Sequence, residues 1–388
     1  MPMRQRVTAL NPVILRWARE RSGLSLAAVA ARFKKAPDTI ADWESGAEAP
    51  TFRQLEQLAE HLYKRPLAIF FFPSPPDEED PSNRFRTLPQ SELEALDPDT
   101  RYAVREALAF QESIRELTGG SNAATALITR DIRPVPQEPV EELASRVRSY
   151  LGVSLEAQSS WRGSEDAFKQ WRKSIETAGI FALKRSFKQR DVFGFCMYDD
   201  TFPIIIINNN ASHSRQVFTV FHELAHLLYS ISGITKQDMS YIDHLSGRSH
   251  EVEVLCNRFA GEFLVPSSSF PWADFRRTNL DDFVHSQAIH YNVSREVILR
   301  RLLDRRLVSQ AIYLRKSDQW NLEYQRSRHG RAGGNYYATQ AAYLGETFLR
   351  LAFTQYRLGK VSIEELASYL RIKARNVARI EDFVVRGE

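Results

Sequence analysis

"TVFHELAHLLYS", residues 219–230, carries two histidines four positions apart, with a glutamate directly after the first, inside an otherwise apolar run. On an α-helix, residues four apart share one face about one turn apart. His222 and His226 can therefore grip a single ion while Glu223 stands beside it. The bland alternative is a core helix whose two histidines hydrogen-bond to carbonyl groups. A catalytic zinc takes three protein ligands and keeps a fourth position open, so the metal reading needs a third ligand from elsewhere in the chain.

The extension H-x-x-G-x-x-H is absent, because Tyr229 and Ser232 occupy the Gly and His places. A carboxylate from a later helix is the other source. "EVEVLCNRFAGEFL", residues 251–264, has a helical pattern and offers Glu251, Glu253 and Glu262, of which Glu253 is the chosen candidate. Cys196 and Cys256 are the two cysteines, and no C-x-x-C spacing occurs, so any metal is held by His and carboxylate. His213, His244 and His250 lack a partner at a telling spacing and read as polar surface or as support for the site.

Working outward, "DVFGFCMYDDTFPIIIINN", residues 191–209, alternates as two strands joined at Asp199 and Asp200. The second of them, Ile204, Ile205, Ile206, Ile207 and Asn208, is expected to present an edge on which an extended peptide adds as a further strand. "DPDTRYAVREALAFQESIRELTG", "PVEELASRVRSYLGV" and "SEDAFKQWRKSIETAGI" read as helical scaffold over residues 97–174. The Pro-rich, acidic "FFPSPPDEEDPSNR", residues 71–84, forbids continued helix and marks a linker over 73–96. Residues 10–72 before it form a unit of four or five short helices. Residues 309–388 are helical and basic; from 311 onward they hold 13 Lys+Arg against 8 Asp+Glu, out of a whole-chain net charge of +4. "DDFVHSQAIHYNVSREVILRRLLDRRLVS" and "GKVSIEELASYLRIKARNVARIEDFV" each have a helix, turn, helix rhythm that suits a small interaction module.

At 388 residues the chain exceeds what one core usually organises, and its 43% hydrophobic and 26% charged composition is that of a globular protein. With no signal segment and no apolar run long enough to cross a bilayer, a cytoplasmic protein without membrane partners is expected.

"FTVFHELAHLL" (218–228), the preceding "IFALKRSFKQRDVFGFCMYDDTFPIIIINNN" (180–210) and the following "EVLCNRFAGEFLVP" (253–266) together resemble the ImmA/IrrE-type metallopeptidases, in which E-x-x-A-N-x-F-A and a closing L-M-P recur. The resemblance spans about 175–308 and implies a zincin-like minimal metallopeptidase with a small β-sheet. It implies Zn2+ as cofactor, Glu253 as third ligand beside His222 and His226, and Glu223 as catalytic base. Asn257, Phe259 and Ala260 match the family's second helix, while Cys256 and Val265 replace its usual alanine and methionine.

Residues 12–72 resemble the XRE, or Cro-like, helix-turn-helix family through "LRWARERSGLSLAAVAARF", "TIADWESGAEAPTFRQLEQLAEHL" and the closing "FFF". The third helix of that fold enters the major groove. Here it bears Asp38, Thr39 and Asp42, and the two carboxylates repel phosphates although an aspartate can accept from cytosine. Arg19, Lys34, Lys35 and Arg53 are left as phosphate candidates.

The expected fold class is thus α+β: a five-helix helix-turn-helix domain, a mainly helical linker region, the metallopeptidase and a helical C-terminal region. The function implied is a zinc endopeptidase that cleaves a partner repressor, encoded nearby, to control stress, prophage or defence genes. Operator DNA and a second copy of the chain are further expected partners. The alternative is a DNA-binding regulator whose peptidase-like domain serves as sensor or dimer platform.

Overall fold

The structure, a computed structural model, describes residues 6–78, 85, 90–135, 137–186, 188–189, 191–236, 245, 247–328 and 335–386. The chain divides into two compact units, residues 1–108 with 187–189 and residues 109–186 with 190–388. Both sequence-based boundaries of the linker, after 72 and after 96, lie inside the first unit, and the division itself falls inside a helix, Pro98–Thr118.

In the first unit, α1 (Pro12–Arg21) starts where the Asn11 side chain accepts the Val13 N–H and Pro12 takes a position that needs no donor. α2 (Leu26–Phe33) is capped by Ser25 and stops at Lys34, which adopts the left-handed conformation at φ 53°. α3 (Pro37–Ser45) begins on a proline and ends at Gly46. α4 (Phe52–Glu56) opens with a Thr51/Gln54 capping box and continues as a π-helical turn, Gln57–Leu62. The fifth helix is a short 3-10 turn, Leu67–Phe71, after Pro66. Ile14, Ala18, Val29, Ala30, Ile40, Trp43, Leu55 and Leu58 fill the core between these helices.

The second unit is α+β. α5 (Val140–Leu151) and α6 (Ser164–Thr177) precede β1 (Phe181–Arg185), β2 (Val192–Met197) and β3 (Ile204–Asn208). α7 (His213–Leu228), β4 (Ile234–Lys236) and α8 (Gly247–Leu264) follow. The longer helices after α8 are α9 (Leu280–His290), α10 (Arg295–Asp304), α11 (Gln310–Arg328), α12 (Tyr336–Leu344), α13 (Glu346–Arg357), α14 (Ile363–Leu370) and α15 (Val377–Arg386).

The strands form one mixed sheet in the order β1-β3-β2-β4. β2 and β3 pair antiparallel through Cys196↔Ile205, as their alternation predicts, while β1 adds parallel to β3 through Phe181↔Ile204. This corrects the edge-strand expectation. Ile204, Ile205, Ile206 and Ile207 are buried and paired on both sides, and the buried Asn208 pairs with Arg185 of β1, so no peptide can add there. A strand buried on both faces carries a continuous apolar run, which is why the IIII stretch belongs inside the sheet. The outer positions are β1 and β4. α7 runs against β2, β3 and β4, with α6 and α8 packed beside it.

Candidate metal centre

α7 starts at Ser212, whose hydroxyl accepts the Arg215 N–H. From Val220 to Leu228 every residue is buried, so the helix is the interior element of its unit. Phe221 fixes its rotation: the ring stacks on Phe263 of α8 at 4.1 Å and meets Trp171 of α6 edge-on at 4.8 Å. Four residues of shared face then bring His222 and His226 together under α8.

Their Nε2 atoms stand 3.1 Å apart, and each faces one oxygen of Glu253 at 3.3 Å. All three side chains are buried, and among the described residues they are the group whose ligand atoms come close enough to share an ion. His222 Nδ1 lies 3.0 Å from Asn257 Oδ1; with its proton donated there, Nε2 is left as a lone pair aimed at the common point. Glu253 Oε2 makes no hydrogen bond despite its close neighbours. Burial pushes the Glu253 carboxyl up, but the His226 and His222 rings outweigh it and hold the group well below the usual carboxylate range.

Two ring lone pairs and a carboxylate aimed at one buried point repel each other unless a cation sits between them. In a tetrahedral zinc site with bonds of about 2.0–2.2 Å, ligand atoms lie about 3.3–3.6 Å apart; the two His–Glu253 separations match that spacing and the His–His one falls slightly short of it. Glu251 is exposed, and Glu262 is engaged with Arg301 and with Ser267 at 2.8 Å. Neither of the other two carboxylates on α8 points to this site.

Glu223 is fully buried beside the ligands. Thr235 Oγ1 donates to its Oε1 at 2.5 Å, and Oε2 has no hydrogen-bond partner. Burial pushes the carboxyl up to about 7, against the opposing effects of His222 and Thr235. Gly233, just before β4, passes so close to the His226 ring that a Cβ there would lie 2.6 Å from it. Its backbone is held by Cys196, whose N–H donates to the Gly233 carbonyl at 3.0 Å.

Residues 175–303, which hold His222, Glu223, His226, Thr235, Glu253 and Asn257, match the IrrE N-terminal-like domain of the M78 peptidases, and residues 14–64 match a helix-turn-helix domain. One chain thus joins a segment similar to the M78 peptidases to a segment similar to a helix-turn-helix domain. No curated protein matches it.

A cleft opens beside His222, Asn257 and Thr235. Phe193, Phe218 and Tyr313 supply apolar wall, and Arg215, Lys236 and Arg300 supply charge. Tyr313 belongs to α11 and donates to Glu296 at 3.2 Å, while Arg215 pairs with the same carboxylate. Thr235, Gly233, Arg215, Glu296 and Tyr313 were not singled out from the sequence. Only Gly233, set directly before a β-branched pair, carried a local signal. His213, at the start of α7, stacks on Phe168, His250 is half-buried on α8, and His244 lies outside the described residues.

On the helix-turn-helix domain one candidate is corrected. Arg19 is not available to phosphate: its Nε and Nη2 donate to the buried Glu44 carboxylate at 2.6 and 2.9 Å. Lys34, Lys35, Asp38 and Arg53 are exposed, and Thr39 and Asp42 are half-buried.

Proposed function

We propose that the chain is a zinc-dependent endopeptidase in which His222, His226 and Glu253 hold the metal and Glu223 is the general base. The convergence of three buried donors at 3.1–3.3 Å, beside a carboxylate with one free oxygen, carries this reading. A zinc ion at that point supplies Lewis acidity and draws the pKa of a water molecule toward neutrality.

The chain's own residues do the rest. Glu223 would take a proton from the attacking water and pass it to the departing amine, which is why a carboxylate stands beside the ligands without being one. Thr235 holds one Glu223 oxygen so that the other faces the reaction. Asn257 keeps the His222 ring in the ligating tautomer. β4, one of the two outer strands of the sheet, lines the cleft with Thr235 and Lys236 and is the strand along which an extended peptide would lie.

The fusion to a helix-turn-helix domain supports a regulatory protease acting in the cytoplasm, and among the described residues no helix is long and apolar enough to cross a membrane. A repressor encoded nearby is the proposed substrate, and operator DNA and a second copy of the chain are proposed partners. Incubation with the repressor of the adjacent gene tests this. The parent chain is expected to cut it, whereas Glu223→Gln binds zinc and leaves it whole. Equal cutting by Glu223→Gln contradicts the assignment.

A further inference from the structure

α14 and α15 repeat the local geometry of α2 and α3. Each pair opens on a serine, Ser25 or Ser362, whose hydroxyl accepts the N–H three residues on. Each first helix is eight residues long and stops at a left-handed residue, Lys34 at φ 53° and Arg371 at φ 54°. Four positions before that residue stands a buried alanine, Ala30 or Ala367. Six and nine positions after it stand two buried apolar residues, Ile40 and Trp43 in the first pair and Val377 and Ile380 in the second. These are the positions through which a helix-turn-helix packs its second helix across its first. The helix-turn-helix match ends at residue 64, so it leaves Ser362–Arg386 unassigned.

The two pairs differ in charge where a second helix meets nucleic acid. Arg375 stands in the place of Asp38, and Arg379 in the place of Asp42. Residues 34–42 hold two basic and two acidic side chains, while 371–379 hold Arg371, Lys373, Arg375 and Arg379 and no acidic one. Lys373, Arg375 and Arg379 are exposed, Arg379 also donating to the Tyr337 hydroxyl at 3.2 Å. α9 and α10 make a third such pair around Asn292 at φ 53°, but its second helix is committed inside its own unit. There Glu296 holds Arg215 and Tyr313, and Arg301 is buried on Glu262.

We propose that Ser362–Arg386 is a second helix-turn-helix and that it binds duplex DNA, with Lys373 and Arg375 on phosphates or guanine edges. This does not depend on the peptidase reading. It is tested on the full chain by fluorescence anisotropy with a labelled duplex of arbitrary sequence, across a salt series. Lys373→Ala/Arg375→Ala is expected to weaken binding about tenfold or more at low salt and to flatten the salt dependence by about 0.9 for each phosphate no longer neutralised. Lys373→Arg/Arg375→Lys, which keeps both charges, retains the parent slope. Because both side chains are exposed, the melting temperature should not move. Absence of duplex binding by the parent chain overturns the proposal. So does an unchanged affinity and slope in the double alanine variant, including the case where Lys34→Ala/Lys35→Ala alone weakens binding.

Discussion

Asn257 accepts from His222 Nδ1 at 3.0 Å, and this bond decides which ring nitrogen faces Glu253 and His226. Removing an acceptor of this kind from a ligating histidine typically costs about 10–100-fold in metal affinity. Asn257→Ala should show that loss in a competition titration against a chelator, while Asn257→Asp keeps the acceptor and most of the affinity. An alanine variant that binds metal like the parent removes Asn257 from the site.

Gly233 matters through the volume it leaves empty. An alanine methyl 2.6 Å from the His226 ring forces either β4 or the ring to move, and overpacking of this order costs about 1–3 kcal/mol. Gly233→Ala should lower the urea midpoint and weaken zinc binding together. A variant with parental stability and parental zinc content shows that the strand can yield.

Arg19 and Glu44 form a bidentate pair with the carboxylate side chain only 3% exposed. Arg19→Ala leaves that charge only the longer contact to Arg16 at 3.9 Å and should destabilise the helix-turn-helix unit by about 3 kcal/mol. Replacing both, as Arg19→Met with Glu44→Leu, should recover most of the loss. If Arg19→Ala stays within about 1 kcal/mol of the parent in denaturant unfolding, the pair is a surface contact in effect.

Lys184 offers a pH signature away from the metal. Burial, with Arg172 adding repulsion, pushes its ammonium from 10.5 down to about 7, although Glu165 opposes the shift. Between those two values the unfolded chain holds a proton that the folded chain has released, so this group makes stability rise with pH across that window. Below about 7 both states are protonated and the full cost of burying the charge is present. Lys184→Met should raise the unfolding midpoint near neutral pH and flatten its rise toward alkaline pH. Parallel pH profiles for the two proteins contradict this.

Much of the site was legible because helical spacing is local: four residues bring His222 and His226 to one face whatever the rest of the fold does. Glu253 could be chosen because its helix showed an apolar pattern of its own and the E-x-x-A-N-x-F-A resemblance falls on it; periodicity alone did not tell it from Glu262, whose fate depends on Arg301, 39 residues away. The β2–β3 hairpin followed from alternation across a short turn. The position of β3 did not, because β1 reaches it by a parallel, non-adjacent pairing, and an isoleucine run reads the same at an edge as inside. β4 is three residues long, too short for a period to register. Arg19 misled for a similar reason, since its partner lies 25 residues on and exposure cannot be read from charge alone.

The zinc content of the purified full-length chain, measured by plasma mass spectrometry on the parent and on single-site variants, bears most directly on the central claim. The account predicts about one zinc per chain, lost in His222→Ala, His226→Ala and Glu253→Ala but retained in Glu223→Gln. A parent chain that binds no metal, or a Glu223→Gln chain that loses it as completely as Glu253→Ala does, would contradict the division between ligands and base.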